Sequence, residues 1–272
     1  MKVPPLTRPM SNNMPRQSRE KSDTGIYHVM LRGINRQDIF EDEEDYRKMI
    51  LFLRGLVERT DDNGLRIQPS CLIYSYCLMS NHLHLLVKEK DEGVSEAVKR
   101  IGILYAQYFN RKYERNGHLF QDRFRSEPVN SMEYFVTLIR YIHQNPVKAG
   151  LVDHVSEYPW SSWSEYVSHT DGFCATSAVL SRIPRGELAE LVCSPVEEYG
   201  ILDIDADTDK HVSDSEIRAF LLEKQGIANP LMVQSLEKGR RDEVLRSAKL
   251  FGAGIRQLSR LTGVSFGLIQ KI

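Results

Sequence analysis

Two histidines stand one residue apart inside an apolar run, in the stretch MSNHLHLLV at 79–87. Successive side chains of a strand point to opposite faces, so His82 and His84 would share one face while Leu83 and Leu85 share the other. Further along, RYIHQNPVKAG at 140–150 sets Tyr141 four positions before Asn145, one turn apart on the same face of a helix. A phenol of pKa about 10 is a poor nucleophile at neutral pH, and its attack on phosphorus requires both activation and neutralisation of charge. A divalent ion held by two imidazoles and an amide oxygen would supply both and leave coordination positions for substrate.

Plainer readings of the same residues stand beside this one. A half-buried strand can turn two histidines to solvent. Tyr141 is one of 12 tyrosines, and Tyr105, Tyr108 and Tyr113 on a neighbouring helix are either rival nucleophiles or packing residues. His28, His118 and His143 compete as ligands. A zinc hydrolase would also use paired histidines, but no third His or acidic ligand falls at a recognisable spacing.

The elements that must position these residues are legible in the periodicity. IYHVMLRGINR (26–36) reads as strand then loop, and EDEEDYRKMILFLRGLVER as a helix with acids gathered at its positive end. After the DDNG turn come two candidate strands, IQPSCLIYSYCLMS and HLHLLVKEK, then a helix from about Val94 to Arg115 closed by Gly117. HLFQDRFRSEPV reads as a short strand carrying Arg123 and Arg125. The following helix is expected to start with Asn130 as cap and Glu133 completing a capping box, and to stop near Asn145 because Pro146 cannot continue it. The order βαββαβα predicts an α+β fold, a ferredoxin-like antiparallel sheet with helices on one face.

At 272 residues the chain is long enough for one main domain and a smaller one. Residues 1–23 read as a flexible basic arm with no secretory apolar core, and no apolar run is long enough to cross a bilayer. Four cysteines without a C-x-x-C pair argue against a zinc ribbon and a disulfide scaffold, so the expected setting is reducing and cytoplasmic. The net charge of −1 averages over unlike segments: 23 basic against 19 acidic residues in 1–150, 3 against 12 in 151–212, and 10 against 6 in 213–272. The expected division is a main domain at 24–170, an acidic connector at 171–212 and a helical region at 213–272. In that last region IRQLSRLTGVSFGLIQKI has the form of a helix-turn-helix, either a duplex DNA contact or a structural cap.

Taken in order, YHVMLRGINRQDIF, MSNHLHLLV, YFNRKYERNGHLFQDRF, RYIHQNPVKAGLV and YPWSSWSEY, spanning about 25–166, resemble the HUH single-tyrosine transposases, in the branch associated with repetitive extragenic palindromes. The resemblance implies a ferredoxin-like nuclease domain in which His82 and His84 bind magnesium or manganese. It implies that Tyr141 attacks a phosphate of single-stranded or hairpin DNA, giving a 5′-phosphotyrosine and a free 3′-hydroxyl, with Asn145 where the family places a third polar ligand. Arg123 and Arg125 are candidates for phosphate contact or ordinary solvated surface. Two rivals stay open: a hairpin DNA or RNA-binding descendant that does not cut, and a metal-dependent hydrolase using water. Target sequence, continued mobility of the element and the choice between monomer and homodimer are not legible.

Overall fold

The computed structural model describes residues 19–168, 172–194, 212 and 214–272. Strand β1 (Ile26–Arg32) leads to helix α1 (Glu43–Val57), a small ribbon of β2 (Arg59–Thr60) and β3 (Arg66–Ile67), and the hairpin of β4 (Cys71–Met79) and β5 (His82–Glu89). Helix α2 (Val94–Lys112), strand β6 (Arg125–Pro128) and helix α3 (Met132–Lys148) follow. The four main strands form one antiparallel sheet in the order β4-β5-β1-β6. With the ribbon set aside, this is the ferredoxin-like arrangement that the element order predicts.

Alternation along the strands gives the sheet two apolar faces. Val29, Leu31, Leu83, Leu85 and Val87 pack on one face against Leu53 and Leu56 of α1 and Val98, Ile101 and Tyr105 of α2. Cys77, Met79 and Leu86 pack on the other against Leu138, Ile139, Tyr141 and Ile142 of α3. So α1 and α2 share a face, and α3 lies alone across the opposite one. Helix α1 begins where expected because Asp42 and Asp45 cap one another: the Asp42 side chain accepts from the Asp45 N–H at 3.2 Å, and Asp45 accepts from the Asp42 N–H at 3.4 Å.

Helix α3 departs from expectation at both ends. Its cap is Ser131, whose hydroxyl accepts from the Tyr134 N–H at 3.1 Å. The Asn130 side chain instead accepts from Asp23 N–H at 2.9 Å and from the Ser22 hydroxyl at 3.1 Å, tying the chain before β1 to the helix entrance. Pro146 does not stop the helix. It removes one backbone donor, but Ala149 N–H reaches Asn145 O at 2.9 Å and Leu151 N–H reaches Pro146 O at 2.9 Å, so the helix runs to Lys148. Gly150, at φ +67°, then turns the chain.

The YPWSSWSEY segment closes the free edge of β4. Leu78 N–H donates to Trp160 O at 2.9 Å, Ser162 N–H to Tyr76 O at 3.0 Å, and the Tyr166 hydroxyl to Tyr74 O at 2.6 Å. Helix α4 (Trp163–Val167) follows, and residues 172–194 form α5 (Thr176–Leu180) and α6 (Arg185–Cys193), whose Val179, Leu188 and Val192 are buried with α3. The first part of the expected connector is therefore packed structure, because its few apolar residues reach the open side of α3. The acidic run EEYGILDIDADTDK and most of the N-terminal arm lie outside the described residues.

Helices α7 (Asp214–Gln225), α8 (Lys238–Phe251), α9 (Ile255–Thr262) and α10 (Phe266–Lys271) enclose a separate core of Ile217, Leu221, Val244, Leu245, Leu258 and Ile269. The α9–turn–α10 pair is the one read from the sequence, with Gly263 at φ +72° ending α9. The unit docks on the main domain through polar contacts. Asp214 N–H donates to Asp38 at 3.1 Å, Arg218 pairs with Glu41 at 3.3 Å, and Arg256 donates to Asn35 at 3.3 Å. Among the described residues no helix is long and apolar enough to cross a membrane.

Candidate active site

The hairpin turn that presents the histidines is held from outside. Gly33 N–H donates to Asn81 O at 2.8 Å, and Ile39 and Phe40 N–H both donate to Ser80 O, at 2.7 and 3.0 Å. Gly33 is required here by close approach, since a Cβ would lie 2.1 Å from Gln37 O. Immediately after the turn, His82 and His84 project from the β5 face that α3 covers, and both are buried. Their rings meet edge to face with centroids 5.0 Å apart. The strand alternation that motivated the site is thus what the structure contains.

Each imidazole has its Nδ1 engaged. His82 Nδ1 lies 2.6 Å from Asn81 Oδ1, and His84 Nδ1 lies 3.0 Å from Nε2 of His28 on β1. Burial holds His84 well below the ordinary histidine pKa, with the neighbouring His82, His28 and Arg32 acting in the same direction, so it is neutral at physiological pH. A neutral ring whose Nδ1 carries the proton offers Nε2 as a ligand.

Helix α3 brings Tyr141 over these rings. The phenol is buried, its ring edge-on to His84 at 5.4 Å and to His28 at 6.1 Å between centroids, and Lys148 Nζ sits 5.2 Å from its centre. One turn on, Asn145 donates its amide to Tyr141 O at 2.8 Å, which leaves Oδ1 as the atom able to ligate. The two imidazoles therefore lie together with the predicted tyrosine, and Asn145 follows it one helical turn along α3. Among the described residues no group of three His, Cys, Asp or Glu side chains is placed to hold a metal, so a zinc-hydrolase ligand set of that kind is not found there. Residues 21–145 match a family model described as Transposase IS200 like.

That segment is similar to the IS200-like transposases. A Haemophilus influenzae protein provisionally named as a REP-associated tyrosine transposase is 30% identical over 100 residues, covering 32% of this chain and 56% of that relative. The chain thus spans about half the length of the curated relative it matches. A solved structure of a REP-associated tyrosine transposase bound to a REP hairpin aligns at 19% identity with a TM-score of 0.44, over 57% of this chain and 86% of that one.

Within residues 21–145 the rival residues have other tasks. The Tyr105 hydroxyl donates to Ile39 O, while those of Tyr108 and Tyr113 donate to the buried Asp45 at 2.9 and 2.8 Å, on the sheet face away from the histidines. His143 is a core strut: Nδ1 donates to Ile139 O at 2.9 Å, and Nε2 accepts from the Ser162 hydroxyl at 2.8 Å. Burial pushes its pKa down to about 4. His118 is exposed in the loop after α2.

The two arginines part company. Arg125 opens β6 opposite Met30, on the face of His28, whereas Arg123 precedes the strand and lines a groove of about 700 Å³ with Arg19, Lys99 and Phe124 along α2. The expected strand carries only Arg125, because the ladder with β1 starts there.

Two cations at the site escaped sequence reasoning. Arg32 stands opposite His82 in the β1–β5 register, and its alternation with His28 in IYHVMLR was a usable signal. Lys148 was hidden by the assumption that Pro146 ends the helix. Asn81, Met79 and Ala149 also line a cleft of about 160 Å³ with His82, whose far wall is Val212 and Gln257 of the C-terminal part.

Proposed function

We propose that this chain cleaves and rejoins single-stranded or hairpin DNA through a covalent bond to Tyr141. The observation that carries the reading is the buried Tyr141 ring set edge-on to His84 at 5.4 Å, with the His82–His84 pair on the same side of the sheet. His82 Nε2, His84 Nε2 and Asn145 Oδ1 would hold a magnesium or manganese ion. When bound, such an ion polarises the scissile phosphate and offsets the charge that builds on it. Two imidazoles and one amide leave open coordination positions, which a phosphate and water suit.

The chain's own residues supply the rest. The Tyr141 oxygen attacks phosphorus, the P–O3′ bond breaks, and the proton lost by the phenol is balanced by the proton gained on the departing 3′-hydroxyl. Lys148 beside the ring and Arg32 beside the histidines place positive charge where phosphate oxygens would lie. Arg125, and Arg123 from its separate groove, are assigned to the DNA backbone further out. Packing of α3 on the sheet restricts water around the tyrosine and favours its attack over hydrolysis. The name of the Haemophilus influenzae relative is in keeping with a tyrosine nucleophile.

The test is a trapped adduct. Incubation with a hairpin oligonucleotide and manganese should give a covalent protein–DNA species whose peptide map ends at Tyr141, and Tyr141→Phe should bind DNA normally and form none. Attachment at Tyr105, Tyr108 or Tyr113 would move the nucleophile elsewhere. Cleavage without an adduct would mean attack by water, and binding without cleavage a hairpin-binding protein.

A further inference from the structure

His28 is fully buried on β1, and nothing in the chemistry proposed above uses it directly. Its Nε2 lies 3.0 Å from His84 Nδ1, the ring centroids are 5.2 Å apart and the planes are 18° from parallel. The two imidazoles therefore lie edge to edge and nearly coplanar, with the shared proton in the plane of both rings. The other nitrogen of His28, Nδ1, makes no hydrogen bond and faces Glu127 Oε2 at 3.9 Å. Glu127 stands directly opposite His28 in the β1–β6 register, and its carboxylate accepts from the Tyr134 hydroxyl of α3 at 2.6 Å.

Resting on the metal reading above, we infer that His28 is a positioning residue that fixes the tautomer and ring plane of His84. Only two neutral arrangements of the pair satisfy the 3.0 Å contact. If His28 Nε2 carries the proton, His84 must carry its own on Nε2, where it blocks ligation, and His28 turns a lone pair toward the Glu127 carboxylate. If His84 Nδ1 carries it, His28 accepts, His28 Nδ1–H points at the carboxylate, and His84 Nε2 presents a lone pair to the ion. The carboxylate and the ion select the same arrangement. Glu127, His28 and His84 thus form a chain across three strands, β6, β1 and β5, with Tyr134 anchoring its outer end to the helix that carries Tyr141. Hydrogen-bonded partners of this kind orient a ligating imidazole and raise its basicity, and their loss typically lowers metal affinity about 10- to 100-fold.

The experiment measures manganese affinity of the full chain by titration against the free-ion electron paramagnetic resonance signal. His28→Phe keeps the aromatic ring but cannot accept a hydrogen bond, and it should weaken binding about 10- to 100-fold. His28→Gln can accept through its amide oxygen and should restore affinity to within a few-fold of wild type, a rescue that a packing role alone would not give. His84→Ala, run alongside, should abolish binding. Loss with His84→Ala but wild-type affinity in His28→Phe overturns the positioning role alone; equal affinity in the wild type and all three variants overturns the metal reading and this inference with it. The wild type supplies a second readout independent of any variant's folding. Long-range 1H–15N spectra should show His84 protonated on Nδ1, and protonation on Nε2 would sink the assignment.

Discussion

His143 sits two residues after Tyr141 and locks α3 to the YPWSSWSEY segment, so its protonation sets how firmly the tyrosine's helix is held. It is fully buried, with its pKa lowered from 6.5 to about 4. The unfolded chain therefore binds more protons than the native one between those values. A depressed folded-state pKa on a basic group makes stability fall as pH falls through 6.5, with the full loss reached near pH 4. Linkage with these two values gives a loss of about 2 kcal/mol between roughly pH 7.5 and pH 5, and about 3 kcal/mol at the acid limit. His143→Gln retains a donor for Ile139 O and an acceptor for Ser162 but cannot titrate. Near neutrality it should be about 1–3 kcal/mol less stable than wild type, the cost of imperfect buried hydrogen bonds. The difference should then shrink by about 2 kcal/mol at about pH 5, because only the wild type loses stability there through this residue. Urea denaturation followed by tryptophan fluorescence reports it directly, since the Trp163 ring is 5.3 Å from that of His143. Other titrating groups occur in both proteins and drop out of the comparison. A gap that stays constant across this range would show that His143 is not a buried neutral strut.

Two further outcomes follow from the docked C-terminal helices. Burial and the facing Asp214 carboxylate raise the Asp38 pKa to about 7, a raised folded value whose stabilising share is complete below about 4 and lost as pH rises through 7. Asp38→Asn should accordingly stabilise the protein at about pH 8 by as much as ~4 kcal/mol and lose that advantage in acid, read as a pH-dependent shift in urea midpoint; an Asn variant less stable than wild type at high pH would contradict it. Removing residues 214–272 should weaken hairpin binding and flatten its dependence on salt while leaving cleavage of a short single strand intact. An unchanged salt slope would make the C-terminal helices a cap over the cleft beside His82 rather than a DNA contact.

The sequence by itself determined the sheet, the shared face of His82 and His84, and the single-turn spacing of Tyr141 and Asn145, because strand and helix periods are local and repeat without reference to the rest of the chain. Its motifs also carried the resemblance that the match over residues 21–145 supports. Local rules misled where a distant group competed for the same donor or acceptor. Asn130 lost the cap of α3 to Ser131 because the chain near Ser22 and Asp23 claims its side chain. Pro146 stays helical because the turn after it supplies its own hydrogen bonds, and that continuity brings Lys148 to Tyr141. Only the tertiary structure separated the tyrosines, turning Tyr105, Tyr108 and Tyr113 into the core under α1 while Tyr141 faces the histidines. Only the strand order decided that His28 and Glu127 stand behind His84, since β1 pairs with β5 on one side and β6 on the other, and no spacing within one strand encodes its neighbours across a sheet.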